Sequence, residues 1–310
     1  MHGQIQVTRP AFTIGICASG PSRDLPSLIS FLLGEDFGGT HVLRRIVVVA
    51  SECPKPITDK VASLADSEPR ILLITEPERR GKAEAINRIM RNSVGELLVM
   101  QNGDAYPQRG AVRGLLSMAC DPMVGAVSAT PILEEGDGLL RRSLDVMWTA
   151  HSSLSLQLNH AGICNHACDE LMVFRRDLVR EFPEDTINDG AFIGGMVQAR
   201  GRLVKFSPTS RVRIEVPLTP IELVRQRRRI TFGHFQVWKR LGKPPKTMES
   251  LMFAKPLSSL RTFVRTVSSA PVRILVIPVL LAIEVISITL GVSDVVLSTE
   301  RHRVWRRNGE

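Results

Sequence analysis

The chain has 310 residues, 44% hydrophobic and 23% charged, a globular composition with room for one large domain or two smaller ones that excludes disorder over most of its length. Five cysteines without tight, even spacing exclude a disulfide scaffold and suit a reducing compartment, and the opening MHGQIQVTRP has no apolar core, so no secretory signal peptide is expected. The formal charge of +9 is uneven: residues 211–310 hold 18 basic and 7 acidic residues against 22 and 24 before them, a near-neutral body with a basic last third.

Phe12–Cys17 is a short apolar run closed by Ala18-Ser19-Gly20-Pro21, which predicts a strand and then a turn. A helical apolar pattern covers Pro26–Leu33. Arg45–Ala50 is a β-branched run of the kind buried on both faces of a parallel sheet. A helix is expected over Thr58–Ala65, a third strand at Ile71–Ile74 and a helix over Gly81–Met90. Leu97–Met100 is a fourth strand, ending at Gln101-Asn102-Gly103-Asp104. This alternation predicts an α/β fold with an open, mostly parallel sheet flanked by helices, in which ligands bind beyond the carboxyl ends of the strands. The turns after Cys17, Ala50, Ile74 and Met100 are therefore expected to line a site. Further on, Val124–Ala129, Leu171–Phe174 and Arg202–Phe206 are expected strands, the last stopping ahead of Pro208, and Leu139–Leu158 is an expected helix.

Gly242-Lys-Pro-Pro-Lys246 is the linker candidate and divides the chain into a body, 1–241, and a C-terminal helical, basic, membrane-associating segment, 242–310. Within that segment Ile274–Ser293 is twenty residues with one charge, Glu284, long enough to span a bilayer. Glu284, Pro278, Gly291 and the Ser/Thr content argue against spanning. Arg261, Arg265 and Arg273 on one side and Arg301, Arg303, Arg306 and Arg307 on the other leave the positive-inside rule little to choose between. An interfacial helix, or a re-entrant pair broken near Pro278, fits that flanking; a buried hairpin or an oligomer contact is the plain alternative.

A site beyond strand ends that handles a nucleotide diphosphate needs a carboxylate for a divalent cation, a base near the acceptor, and donors for the departing anion. Asp104 projects from such an edge, although a strand-end Asp also serves as a turn former or helix cap. Lys82 opens a helix, where it opposes the macrodipole; a phosphate, a carboxylate neighbour or plain solvation would account for it. The glycine spacing of a P-loop is absent. Glu184, Asp185 and Asp189 form an acidic cluster, and capping of a helix starting near Asp189 explains one of the three. Gln226-Arg227-Arg228-Arg229 lies on a helix starting near Thr219-Pro220. Gln226 and Arg229 share a face of it while Arg227 and Arg228 point elsewhere, which suits an anionic leaving group better than DNA. Cys164-Asn-His166-Ala-Cys168 has metal-ligand spacing but no second pair at zinc-site separation, and His234 reads as a packing position.

Together these elements resemble a family 2 glycosyltransferase of the GT-A fold, in the cellulose and hyaluronan synthase-like superfamily, over residues 11–248. Gly81-Lys-Ala-Glu-Ala-Ile-Asn87 is similar to that family's GKxxALN-like element, and Asn102-Gly-Asp104 stands where it has DxD. Asp189 stands at its ED or DD aspartate, and Gln226-Arg-Arg-Arg-Ile230 is similar to QxxRW. The resemblance implies a Rossmann-like mixed sheet, a nucleotide diphosphate sugar donor bordered by Ala18, Ser19, Glu52, Lys82, Asn102 and Asp104, and a divalent metal, Mg²⁺ or Mn²⁺, on Asp104. It implies Asp189 as the general base of an inverting transfer, with Gln226 and Arg229 on the diphosphate and acceptor side. Cys168, Asp169 and Glu170 lead into a segment similar to the family's acceptor lining.

Four positions depart from the family pattern. Asn102 replaces the first DxD carboxylate, the acidic residue after strand one is missing, Glu52 replaces Asp, and Ile230 replaces Trp. Without that Trp or a bundle of spanning helices, the resemblance implies single addition to a lipid-linked or glycan acceptor. The expected setting is the cytoplasmic face of a membrane, peripheral or single-span through Ile274–Ser293, with an oligomer possible and no nucleic acid. A sugar nucleotidyltransferase is one rival, but its Gly-rich basic loop is poorly matched by Ala18-Ser19-Gly20-Pro21-Ser22-Arg23. A non-catalytic membrane-surface or nucleic-acid-binding protein is another, for which only Phe232, Phe235 and Trp238 cluster near the basic helix.

Overall fold

The computed structural model describes residues 9–20, 24–134, 136–247 and 276–297, with positions 256, 257, 260, 261 and 264 between the last two blocks. Pro21, Ser22, Arg23, Arg265, Arg273, the start of the run at Ile274, and Arg301, Arg303, Arg306 and Arg307 lie outside the described residues. Eight described strands form one sheet: β1 Ala11–Ser19, β2 Val42–Ser51, β3 Ile71–Glu76, β4 Leu97–Asn102, β5 Ala105–Pro107, β6 Val124–Leu133, β7 Leu171–Arg175 and β8 Leu203–Ile214. Their spatial order is β3-β2-β1-β4-β7-β6-β8-β5. Pairings among β3, β2, β1 and β4 and between β6 and β8 are parallel, and β7 and β5 run antiparallel to their neighbours.

Two-residue alternation sorts the apolar runs into two cores. Ile46, Val48, Leu97, Val99, Leu171 and Val173 face one side with α1 (Leu25–Leu33) and α4 (Ala111–Ala119). Val47, Val49, Leu98, Met100, Met172 and Phe174 face the other with α3 (Lys82–Asn92) and α6 (Asp189–Ala199). The consecutive β-branched residues of β2 are thus buried on both faces, as their composition predicts. The remaining described helices are α2 (Lys55–Ser67), α5 (Leu139–His160), α7 (Pro220–Leu241) and α8 (Ile277–Val296).

Strands run past their apolar cores because polar residues at the carboxyl edge still pair, as in Ser19↔Ser51, Ser51↔Glu76 and Cys17↔Asn102. The expected stop ahead of Pro208 is corrected: β8 continues to Ile214. Its partner on β6 jumps from Ser128↔Phe206 to Thr130↔Arg211, so Pro208 sits in an irregularity that needs no ladder donor. Neither β5 nor α4 is among the expected elements. The first is three residues long, and the apolar pattern of the second is interrupted by Gly114.

α7 starts where expected, with Thr219 and Glu222 in a reciprocal capping box and Pro220 in the first turn. It ends at Gly242, whose φ of 71° suits glycine. α8 packs along α7 through Ile283, Ser287, Gly291 and Asp294 and meets α5 through Leu280, leaving Leu281, Val285, Ile288, Val292 and Val296 more exposed on its other side. Its two acids meet α7 directly: Glu284 Oε2 accepts from Arg227 Nη2 at 3.0 Å, and Asp294 accepts from Arg228 through Nε and Nη2. Asp294 is 3% exposed. Arg228→Ala removes the guanidinium from that buried carboxylate and is expected to cost about 3 kcal/mol. The double variant Arg228→Ala/Asp294→Ala should cost clearly less, a difference read from urea midpoints; equal midpoints for all three proteins would show that the pair does not dock α8.

Candidate active site

The carboxyl ends of β1, β2 and β4 open on a cavity of about 740 Å³, closed opposite by the segment before β7, the first turn of α6 and the inner face of α7. Its floor is set by a close approach. Gly103 N–H donates to the Cys17 carbonyl at 2.8 Å, and a Cβ on Gly103 would lie 2.8 Å from that of Ala18. Only glycine lets the turn after β4 press onto the end of β1. Ala18 and Ser19 therefore border the cavity beside Asn102 and Asp104. A second close approach sets the opposite wall, where a Cβ on Gly190 would come within 2.4 Å of the Ala167 carbonyl. The start of α6 thus lies against the segment carrying Cys168 and Asp169.

Between these walls sits a charged centre. Lys82 Nζ donates to Asp169 Oδ2 at 2.6 Å and lies 3.0 Å from Asp189 Oδ2. The Asp189 side chain is 8% exposed, at the first position of α6. The cap of that helix is Asn188, whose Oδ1 accepts from Ala191 N–H, so Asp189 is not spent on capping. Burial pushes the Asp189 carboxyl up to about 7, and the Asp169 charge adds to that against the pull of Lys82. Asp169 is held below the carboxylate range, since the charge and hydrogen bond of Lys82 outweigh its burial. The two carboxyls share the Lys82 ammonium, so the protonation of one bears on the other. Lys82, in spite of burial, is held well above its ordinary value by the same two acids. Of the explanations open for Lys82, a carboxylate neighbour is the one found.

Arg229 and Gln226 line the cavity from α7. Burial lowers the Arg229 pKa while Asp189 and Asp169 pull it back, which places this guanidinium in their field. Arg227 also reaches the cavity but is bound to Glu284 of α8. Across the floor, Asn102 Nδ2–H donates to Glu170 Oε2 at 3.0 Å. Burial, with the charges of Asp169 and Asp104, raises the Glu170 carboxyl to about 8. Asn87, the last residue of the Gly81–Asn87 element, lies outside this centre. Its amide exchanges two 2.8 Å bonds with Phe182 and ties α3 to the chain leading into α6.

The structure brings Ala18, Ser19, Lys82, Asn102, Asp104, Cys168, Asp169, Glu170, Asp189, Gln226 and Arg229 to one cavity. Glu52 does not line it. Glu52 has a left-handed φ of 51°, its N–H bonds to the Glu76 carbonyl, and its carboxylate pairs with Arg79 at 3.2 Å. Arg79, which does line the cavity, has no place in the sequence reading; the basic pair before Gly81 was its one signal. Trp148, His151, His166 and His234 add an aromatic side, and the His166 and His234 rings meet edge to face at 5.4 Å. His234 thus faces the cavity as well as packing. Of the acidic cluster, Asp185 is held by Arg240 and Gln236, away from Asp189's partners. The Cys164–Cys168 run forms no metal cluster among the described residues: Cys164 Sγ accepts from Val204 N–H, and Cys168 is buried.

The model of the family described as Glycosyl transferase family 2 matches residues 25–182, about half of the chain, a stretch that includes Asp104 and Glu170 and ends ahead of Asp189. Among solved structures, the chain is similar to a mannosyltransferase from Pyrobaculum calidifontis in complex with GDP-Man and Mn²⁺, with a TM-score of 0.64 and 20% identity over 94% of this chain and 89% of that one. It is also similar to a glucosyl-3-phosphoglycerate synthase from Mycobacterium tuberculosis in complex with Mn²⁺, UDP and phosphoglyceric acid, with a TM-score of 0.49 and 15% identity over 76% and 80%. No curated protein sequence matches it. The mixed, mostly parallel sheet flanked by helices is of the GT-A type.

Proposed function

The chain belongs to glycosyl transferase family 2, and from that premise we propose that it is an inverting, divalent-metal-dependent transferase moving a hexose-type unit from a nucleotide diphosphate sugar to an acceptor hydroxyl. The observation that carries this reading is the setting of Asp189. It is a buried carboxylate of raised basicity in a cavity whose other corner holds Asp104 and whose α7 wall holds Arg229. The acceptor hydroxyl gives its proton to Asp189 as its oxygen bonds to the anomeric carbon. The bond from that carbon to the diphosphate oxygen breaks on the opposite face, and the electron pair leaves with the diphosphate. Arg229 and Gln226 stand to receive that anion.

The donor set suits a small, hard cation. Asp104 offers a carboxylate, Asn102 and Glu170 offer oxygen, and no larger cluster of ligating side chains exists among the described residues. Mg²⁺ and Mn²⁺ sites in phosphate chemistry use one or two carboxylates and complete their shell with phosphate oxygens and water. When bound, such an ion neutralises charge on the departing diphosphate. We place the acceptor, lipid-linked or glycan, on the aromatic side of the cavity, with α8 lying in the cytoplasmic interface of a membrane. Its outer stripe of Leu281, Val285, Ile288, Val292 and Val296 supports that placement. Both its acids are committed to α7, which favours an interfacial helix over one that leaves the body to span.

On α7 the charge is turned inward in the molecule rather than offered as a nucleic-acid surface: Arg227, Arg228 and Arg240 are ion-paired and Phe235 stacks on Trp238. Membranes containing the protein, offered a panel of labelled nucleotide sugars with Mn²⁺, are expected to transfer label from one donor class into a lipid or glycan product. Asp104→Ala is expected to weaken metal-dependent donor binding by about tenfold or more. Identical donor titrations of the wild type with Mn²⁺ and with EDTA would remove the metal from the reading.

A further inference from the structure

In the metal-dependent reading proposed above, the cation sits at the end of β4, where one carboxylate of the family's pair is replaced by the amide of Asn102. We infer that Glu170 supplies that missing carboxylate from the neighbouring strand, so that Asp104 and Glu170 hold the cation together; this rests on that reading.

β4 and β7 are antiparallel and pair as far as Gln101↔Leu171. The ladder continues one step further, with Asn102 N–H donating to the Glu170 carbonyl at 3.2 Å. Asn102 and Glu170 are therefore cross-strand neighbours, and side chains so placed share a face with Cβ atoms about 5 Å apart. They meet in fact: Asn102 Nδ2–H donates to Glu170 Oε2 at 3.0 Å. The carboxylate of Glu170 thus lies against the group that stands where a carboxylate is missing. Its extra methylene, relative to aspartate, gives it the reach to cross between strands. The bond to Asn102 uses Oε2, and Oε1 has no part in it.

Charge points the same way. Glu170, one step beyond the β4–β7 ladder, and Asp104, two residues after Asn102, both line the cavity. Lys82, the nearby ammonium, is committed to Asp169 and Asp189. A divalent ion satisfies the remaining pair without removing Lys82 from its partners. Asn102 then becomes a positioning residue, orienting by its amide the carboxylate it no longer provides. The exchange moves a negative charge one strand over and leaves the total at the corner unchanged.

The test is direct Mn²⁺ binding, followed through the EPR signal of free Mn²⁺. It uses the full chain together with whichever of UDP, GDP, ADP, CDP and dTDP binds most tightly. Glu170→Gln, which keeps size and hydrogen bonding, is expected to weaken Mn²⁺ binding by about 10- to 100-fold, and Asp104→Asn by at least as much. Asn102→Asp/Glu170→Gln returns the carboxylate to β4 and is expected to recover most of the loss, which a purely structural role for Glu170 would not produce. Thermal melts of every variant establish that each is folded. Undiminished Mn²⁺ binding by Glu170→Gln, beside clear loss in Asp104→Asn, would overturn the role of Glu170 and leave metal-dependent transfer standing. A double variant as weak as Glu170→Gln alone would equally overturn it. No Mn²⁺ binding by the wild type with any of the five diphosphates would overturn both.

Discussion

Asp189→Asn is expected to lower kcat by about 10²- to 10⁴-fold, the range that a positioned general base contributes. The amide matches the carboxylate in size and keeps an oxygen toward Lys82, so donor binding should stay within about threefold of wild type. What it loses is the ability to take a proton. Because burial and Asp169 raise the pKa of Asp189, its ionised form is a stronger base than an exposed aspartate and is fully present only above about pH 7. Wild-type kcat/KM is therefore expected to fall with a single protonation as pH drops through about 7, and that limb should vanish from the residual activity of the variant.

The same substitution has a stability signature of opposite sign. A carboxyl whose folded pKa lies above its unfolded value of about 3.9 favours folding fully only below the lower value and loses that contribution as pH rises through the upper one. Asp189→Asn removes this loss, so the variant should melt higher than wild type at pH 8 and gain less at pH 4. A more stable, inactive variant is the pattern of a strained catalytic group. Turnover within tenfold of wild type would take the base role from Asp189. Asp185 is a poor successor, since it is 60% exposed and held by Arg240.

The sheet and half of this site were legible because they follow from local rules. Apolar runs closed by turn residues marked β1, β2, β3 and β4, and ligand sites lie beyond the carboxyl ends of such strands. Ala18, Ser19, Asn102 and Asp104 could be placed by position alone. Glu52 follows the same rule by position, yet it is not among the residues lining the cavity and reaches its wall only through its partner Arg79. Contacts between distant segments were the part sequence could not give. Lys82 and Asp169 are 87 residues apart, and nothing in either neighbourhood announces the other. Helix periodicity placed α5 as an element without saying that Trp148 and His151 would turn toward the site. Arg227 and Arg228 read as surplus charge until α8, 57 and 66 residues further on, supplied Glu284 and Asp294.

Lys82→Met carries the second large effect, and it separates two roles that the sequence left together. As a donor-binding residue, Lys82 would touch phosphate, and its loss would raise the donor KM. The structure instead fixes its ammonium 2.6 Å from Asp169 and 3.0 Å from Asp189. Methionine fills much of the same space without charge, leaving the buried Asp189 and the half-buried Asp169 to repel each other. One of them must then hold a proton at neutral pH, and Asp189, already the higher of the two, is the one expected to hold it. The acid limb of kcat/KM should move upward in pH by at least about one unit, so that kcat at pH 7 falls by about fivefold or more. Raising the pH to 9 should recover part of that loss, which a defect in donor contact would not allow. Stability should also drop, by about 3 kcal/mol, toward the lower end for a broken buried pair because Asp169 keeps 34% exposure. Lys82→Arg, which restores the charge, should return the limb toward wild type even where the guanidinium fits less well. An unmoved limb together with a raised donor KM would assign Lys82 to the donor after all, and the Asp169–Asp189 pair would then owe its poise to burial and mutual repulsion alone.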